Sequence, residues 1–108
     1  MLIKKFSIYV PSTVDVDKPV DNAEYVEKTC RFLADSFGGC TSYKASGKWI
    51  SADGKLVSED VTICYAYCKM ADYFKSISAV KKFARELCAE MSQEAISVEF
   101  NGKLAFIS

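Results

Sequence analysis

The stretch KLVSEDVTICYAYCK, residues 55–69, decides the fold that this sequence predicts. Its second half alternates between two faces of a strand, one carrying Val61, Ile63, Tyr65 and Tyr67 and the other Thr62, Cys64, Ala66 and Cys68. Because both faces are fairly apolar, we expect this long strand to lie inside a sheet and not at its edge.

The residues before this strand predict a hairpin partner and a helix. Asp53-Gly54 is a two-residue hairpin signal. It is preceded by a β-favouring segment, residues 40–50, which we expect to bend or bulge at Gly47. Further back, apolar residues recur at helical spacing between residues 21 and 37, and Gly38-Gly39 supplies the left-handed residue that ends a helix.

The two ends of the chain predict the remaining strands and a second helix. Residues 2–10 alternate as a half-buried strand that Pro11 closes, and residues 11–20 read as a loop. A helical stripe predicts the second helix over about residues 77–93, capped by Ser76 or Ser78. Residues 96–100 alternate again, and Asn101-Gly102 predicts a hairpin back through residues 104–107.

The element order is therefore β-α-β-β-α-β with a short extra strand. It predicts a single domain over residues 1–108, of the α+β class. The expected architecture is a ferredoxin-like sandwich, in which an antiparallel sheet carries two helices on one face and an extra C-terminal hairpin strand.

The composition excludes several kinds of function. Lys and Arg number 14, Asp and Glu number 14, and His is absent. Zero net charge argues against a dedicated nucleic-acid or membrane binder, and the lack of His removes Ser–His and Cys–His catalysis and most zinc sites. Five scattered cysteines, no signal-peptide pattern and no long apolar run indicate a reduced, cytoplasmic protein that does not contact a membrane.

No cofactor or metal site is expected. Cys64 and Cys68 would lie about 13 Å apart on one strand face, too far for a disulfide. Acidic residues before the first helix, which are Asp15, Asp17, Asp21 and Glu24, suit the helix dipole better than a calcium loop. Glu59-Asp60 is a candidate general acid/base pair, although such pairs more often lie in solvent.

Aromatic and basic residues provide the candidate binding surface. Its predicted contact residues are Tyr43, Lys48, Trp49, Tyr65 and Tyr67. Tyr and Trp are enriched in binding hot spots, so we expect these residues to contact a protein partner or a second copy in a homodimer. An RNA-stacking sheet is a third possibility, but the sequence lacks the Gly and aromatic run of RNA-recognition domains, and nucleic acid is an unlikely partner.

Turn motifs carry a family resemblance over about half of the chain. A helix ending in Phe37-Gly38-Gly39, a strand with Gly47-Lys48-Trp49, an Asp53-Gly54 hairpin and Glu59 opening the next strand form one pattern, and residues 94–104 form a second. In these features the chain resembles small ferredoxin-like proteins of bacteria, phages and mobile elements. The resemblance implies no catalytic residues. It implies a setting in which compact proteins act by binding, including inhibitors of host defences such as CRISPR nucleases.

The sequence thus favours a non-enzymatic protein-binding module, and the resemblance implies that a phage or mobile element encodes it and that it acts as such an inhibitor. The expected mechanism is docking on a protein patch, because zero net charge departs from the acidic inhibitors that mimic DNA. The alternative is a small dimeric ligand-binding domain or enzyme with a pocket between sheet and helices. In that case tyrosines, Glu59 and Asp60 would supply acid/base chemistry.

Overall fold

Apart from two short strands before the first helix, strands and helices follow one another in the predicted order. The computed structural model describes residues 1–14 and 18–108. The strands in these residues are β1 (Lys4–Pro11), β2 (Thr13–Val14), β3 (Lys18–Pro19), β4 (Thr41–Ile50), β5 (Leu56–Cys68), β6 (Ile96–Phe100) and β7 (Lys103–Ile107). The helices there are α1 (Ala23–Phe37) and α2 (Met70–Glu90).

The main sheet is antiparallel and has the strand order β4-β5-β1-β6-β7, while β2 pairs with β3. The prediction that residues 55–69 form an inner strand is confirmed, because β5 lies between β4 and β1. An α+β fold with a five-stranded antiparallel sheet and two helices is therefore established for the described residues.

One face of the sheet is covered by both helices and forms the core; we call it the covered face. Phe6, Ile8 and Val10 of β1 are fully buried there, as the alternation of residues 2–10 predicts. Phe6 touches both helices, since its ring stacks on Phe37 of α1 at 5.3 Å and on Tyr73 of α2 at 4.8 Å between centroids. Burial of each such side chain contributes about 1.5–3 kcal/mol to folding.

The first helix ends where the sequence predicts. Gly38 takes φ of 95°, a left-handed conformation, and its N–H donates to the carbonyl of Ala34. A residue without Cβ adopts this conformation at little cost. The side chain of Leu33 is fully buried beneath this end of the helix, which fixes α1 against the sheet.

The second helix begins seven residues earlier than predicted. It starts at Met70, so Ser76 and Ser78 lie within it and do not cap it. Tyr73 lies one turn before Ile77 on the same stripe, and its ring packs against Phe6 in the core. That tertiary contact extends the helix over residues whose local pattern gave no start signal.

Two local predictions are wrong and one is confirmed. Gly47 pairs directly with Glu59 in an uninterrupted register, so β4 has no bulge there. Residues 11–20 contain the short β2–β3 pair, although the sequence predicted a loop. The hairpin at Asn101-Gly102 is present, with φ of 50° and 92° at its two residues.

Within residues 1–14 and 18–108, no helix is both long and apolar enough to cross a membrane.

Candidate functional site

The face of the sheet turned away from both helices carries the aromatic residues that the sequence predicts as contacts; we call it the open face. Strand alternation places Lys5, Ser7 and Tyr9 of β1 on it. The register sets Tyr65 of β5 opposite Ser7 on one side and Glu99 of β6 opposite it on the other. The open face therefore mixes rings with charged side chains, in contrast with the apolar covered face.

A cavity of about 520 Å³ lies at one end of the open face; we call it the open-face cavity. Five strands contribute to it, together with Gln93 in the turn after α2. Its apolar lining comes from Tyr9, Trp49, Val61, Ile63, Leu104 and Phe106. Its volume falls within the range of sites that bind small organic ligands, and an apolar lining with few polar groups is typical of such sites.

Glu59 is the carboxylate that lines this cavity. It lies opposite Gly47 in the β4–β5 register, so no side chain from β4 covers it. Within residues 1–14 and 18–108, the Glu59 carboxylate forms no ion pair. Glu99, further along the open face, differs because it lies 4.0 Å from the Lys5 ammonium.

The rings around Glu59 are exposed enough to contact a ligand. Trp49 is 52% exposed and Phe106 is 71% exposed, while Tyr9 is half-buried. Aromatic faces attract cations through their quadrupole, and a carboxylate adds a full negative charge. The arrangement suits a ligand that has a flat or apolar part and a positive charge.

The other end of the open face holds a chain of three tyrosines; we call it the tyrosine cluster. The rings of Tyr43 and Tyr65 meet edge to face at 6.1 Å, and those of Tyr65 and Tyr67 at 5.8 Å. The Lys5 ammonium lies over Tyr65 at 5.0 Å and over Tyr67 at 5.9 Å. A cation of the protein itself thus occupies the ring faces at this end.

The structure separates the predicted contact residues into two groups. Tyr43, Tyr65 and Tyr67 form the tyrosine cluster, whereas Lys48 and Trp49 line the open-face cavity. The side chain of Lys48 alternates to the opposite side of β4 from Trp49, and its Nζ donates a hydrogen bond to Ser58 Oγ at 2.8 Å. Their role as an interface stays a prediction.

Glu59 and Asp60 do not act as a pair on the same site. Because they are neighbours on a strand, their side chains lie on opposite faces. Asp60 borders a separate groove of about 500 Å³, together with Lys44 and Thr62. The predicted acid/base pair is thus divided between two surfaces.

Sequence reasoning missed the residues that β6 and β7 bring to the cavity. Ser97 of β6 lies opposite Phe106 of β7, and both line the cavity. The Asn101-Gly102 turn fixes this register, so the hairpin signal contained the information. Gln93 gave no such signal; its amide nitrogen donates to the carbonyl of Thr13 at 2.9 Å and ties the α2–β6 turn to β2.

No group of three or more His, Cys, Asp or Glu side chains is arranged around a metal position in residues 1–14 and 18–108. Asp21, one of the acids considered for calcium, accepts the backbone N–H of Ala23 at 3.0 Å at the start of α1. Asp15 and Asp17 lie outside the described residues.

Comparison with known proteins gives matches in structure. No protein-family model and no curated protein matches the chain. Two solved structures have a similar fold: a phage SAM lyase in complex with S-methyl-5'-thioadenosine, with a TM-score of 0.64, and a phage SAM lyase in the apo state, with a TM-score of 0.61. In each case the identity is 19%, and the match covers 97% of this chain and 88% of the other.

These matches contradict the expectation of a non-enzymatic binding module that inhibits a host defence. The structural neighbours are enzymes of phage origin, and one of them holds a small nucleoside ligand. The matches agree better with the alternative interpretation, a small enzyme or ligand-binding domain. The open-face cavity lies away from the helices, whereas the groove beside Asp60 lies between the residues that lead into α1 and strands β4 and β5.

Proposed function

We propose that this chain is an enzyme that binds S-adenosylmethionine in the open-face cavity and cleaves it as a lyase, releasing S-methyl-5'-thioadenosine. The observation that carries the proposal is the fold shared with phage SAM lyases over 97% of the chain. The Glu59 carboxylate, which forms no ion pair with another described residue and lies among exposed rings, supports the position of the site.

The chemistry of the substrate fits the residues that line the cavity. S-adenosylmethionine has a flat base, a positively charged sulfonium and a four-carbon amino-acid chain that carries an ammonium on its α-carbon and ends in a carboxylate. Trp49 and Phe106 offer apolar surface to the base or the sulfonium, and Glu59 offers a negative charge to a cation. We assign the substrate's ammonium, and not its sulfonium, to Glu59. The ammonium keeps its charge throughout the reaction, so its ion pair with Glu59 persists, whereas the sulfonium loses its charge.

Cleavage removes charge, which an apolar cavity favours. When the bond between the sulfur and the amino-acid chain breaks, its electron pair goes to the sulfur, and the sulfonium becomes a neutral thioether. Water stabilises the charged reactant more than the less charged transition state, so walls such as Ile63 and Leu104 that exclude water accelerate the step. A lyase adds no water, so the amino-acid fragment leaves with a new ring or double bond.

The test is direct product analysis. Purified protein is incubated with S-adenosylmethionine, and nucleosides and amino-acid fragments are separated by liquid chromatography and mass spectrometry. We expect S-methyl-5'-thioadenosine from the native chain. We also expect Glu59→Gln to lower kcat/KM by about 100-fold or more, corresponding to the loss of ~3 kcal/mol of binding in the transition state.

Glu86→Gln is the matched control, because Glu86 is an exposed carboxylate on α2. We call the layer formed by α1 and α2 the helical layer; it lies on the other side of the sheet from the open-face cavity. It should keep the native rate. Circular dichroism and urea unfolding verify that both variants are folded. Native protein that is folded but releases no thioadenosine would refute the activity, and a fully active Glu59→Gln variant would refute the site.

We further propose that the sheet is a ferredoxin-like sheet extended by one strand. Without β7 the order is β4-β5-β1-β6, in which β5 lies between the two strands that α1 connects. That placement of a strand inside a βαβ crossover supports the assignment. An experimental structure with a different order would refute it.

We also propose that a second copy of this chain covers the tyrosine cluster. Tyr43 and Tyr67 are each about half exposed and border one another through Tyr65. Light scattering should give a mass above that of the 12.0 kDa chain, and Tyr43→Ser with Tyr67→Ser should lower it. Lys75→Gln, on the helical layer, is the control. A native mass of one chain would contradict the proposal.

A further inference from the structure

Three thiols that are far apart in sequence meet between α1 and the covered face of the sheet. Cys30 comes from α1, Cys40 from the turn before β4, and Cys64 from β5. The sulfurs of Cys30 and Cys64 lie 3.7 Å apart, within hydrogen-bond distance for sulfur. All three cysteines are free thiols.

The cluster has a buried side and a side that faces solvent. Cys64 is fully buried, whereas Cys30 and Cys40 are half-buried. Cys30 and Cys40 both line a shallow depression of about 510 Å³ on the surface beside α1. A small oxidant can therefore reach Cys30 from solvent while Cys64 lies directly behind it.

The electrostatics of the cluster set the order in which its thiols react. Burial, together with a hydrogen bond and charge repulsion from Cys30, raises the pKa of Cys40 to about 12. Burial and the negative charge of a Cys30 thiolate likewise raise the pKa of Cys64 above its usual value. Cys40 and Cys64 therefore hold their protons more strongly than an ordinary thiol, and thiolate is the form that reacts with peroxides.

We propose that Cys30 is a site of reversible oxidation that forms a disulfide with Cys64, using a peroxide as the oxidant. In the first step the Cys30 sulfur attacks the peroxide O–O bond, giving a sulfenic acid and one water from hydrogen peroxide. In the second step the Cys64 sulfur attacks the Cys30 sulfur, the S–OH bond breaks, and the hydroxyl leaves as water with the Cys64 proton. The two thiols are oxidised by two electrons, and the peroxide is reduced.

The disulfide requires modest movement. The sulfurs must approach from 3.7 Å to about 2.05 Å, which rotation of the half-buried Cys30 side chain on α1 can supply. The bond would tie α1 to β5 on the side of the sheet opposite Glu59. This inference does not depend on the proposed lyase activity.

The experiment maps disulfides in the full chain. Reduced protein, freed of reductant, is treated with hydrogen peroxide, blocked with N-ethylmaleimide and digested with trypsin. We expect two of the five cysteines to escape blocking, and a peptide containing Cys30 to be linked to the peptide of residues 56–69. Fragmentation distinguishes Cys64 from Cys68 within that peptide, and dithiothreitol should release the link.

Variants provide the controls. Cys30→Ser should abolish the intramolecular link, whereas Cys68→Ala, a buried thiol on the same strand and face, should retain it. The digest of the native protein tests the Cys30–Cys64 link even where a variant fails to fold. A link from Cys30 to Cys40, a link between other cysteines, or peroxide treatment that leaves all five thiols unlinked would overturn the proposal.

Discussion

The two faces of the sheet are formed by the same strands, but they differ in burial and in the kind of side chain they carry. On the covered face, Phe6, Ile8 and Val10 are fully buried beneath the helices. On the open face, Lys5 and Tyr9 alternate with them along β1 and face away from both helices. Residues one position apart in the chain thus have separate surroundings, one face supplying stability and the other forming the surface on which we propose that a ligand binds.

The difference between the two faces shows how a short chain can form a stable core and a candidate binding site from the same strands. A strand has a period of two, so each β residue that enters the core places its neighbour on the other side. β5 carries both tasks along its length, with Cys64 in the core and Glu59 in the open-face cavity. The open face can therefore vary its side chains at little cost to the core, which fits a shared fold at 19% identity.

The largest expected effect comes from removing a ring from the covered face. Phe6→Ala deletes a fully buried side chain that contacts Phe37, Tyr73 and Phe100, and the cavity it leaves should lower the free energy of unfolding by about 3–5 kcal/mol. Phe106→Ala removes the same ring from the open face and should cost under about 1 kcal/mol. Urea unfolding measures both, and equal losses would contradict the division between the faces.

The second-largest expected effect is a change in KM, which distinguishes the two ends of the open face. Trp49 lines the cavity, whereas Tyr43 lies in the tyrosine cluster. Trp49→Ala should raise KM for S-adenosylmethionine about tenfold, since an aromatic contact with a cation contributes ~0.5–2 kcal/mol. Tyr43→Ala, assayed at a fixed oligomeric state, should leave KM within about twofold. The reverse pattern would move the site to the tyrosine cluster.

The sequence predicted the faces well and the site poorly, for a physical reason. Alternation is local, so the covered and open faces of β1 and β5 follow from residue spacing alone. A cavity is not local: Glu59 and Phe106 are 47 positions apart and meet through the register of four strands. Lys48, predicted beside Trp49, lines the same cavity, although its side chain alternates to the opposite side of β4.

The contrast between local and long-range signals also explains which helix boundaries the sequence predicted correctly. The end of α1 was predictable because a glycine after a periodic segment is a strong local signal. The start of α2 was not, because Tyr73 extends the helix by packing on Phe6, a residue 67 positions earlier. Contacts between distant segments decide where a helix begins when no capping residue marks the position.

The smallest expected effect tests whether the helical layer depends on charge as well as burial. Lys28 of α1 donates to Glu90 of α2 at 2.6 Å, which joins the two helices above the core. Both side chains are more than two-fifths exposed, so solvent screens the pair, and Lys28→Gln should cost under about 1 kcal/mol. Lys75→Gln, an exposed lysine of the same layer, is the control and should cost less.

The stabilisation contributed by the Lys28–Glu90 ion pair should depend on salt and pH, whereas stabilisation by burial should not. The hydrogen bond to Glu90 raises the pKa of Lys28 above its usual 10.5, so the contribution is complete below that value and is lost as pH rises through the raised pKa. The difference between native and Lys28→Gln protein should therefore vanish at strongly alkaline pH, and it should shrink in about 1 M salt, where screening acts within ~3 Å. A difference that survives both conditions would show that Lys28 acts through the packing of its hydrocarbon stem, and the helical layer would then depend on burial in the same way as the covered face.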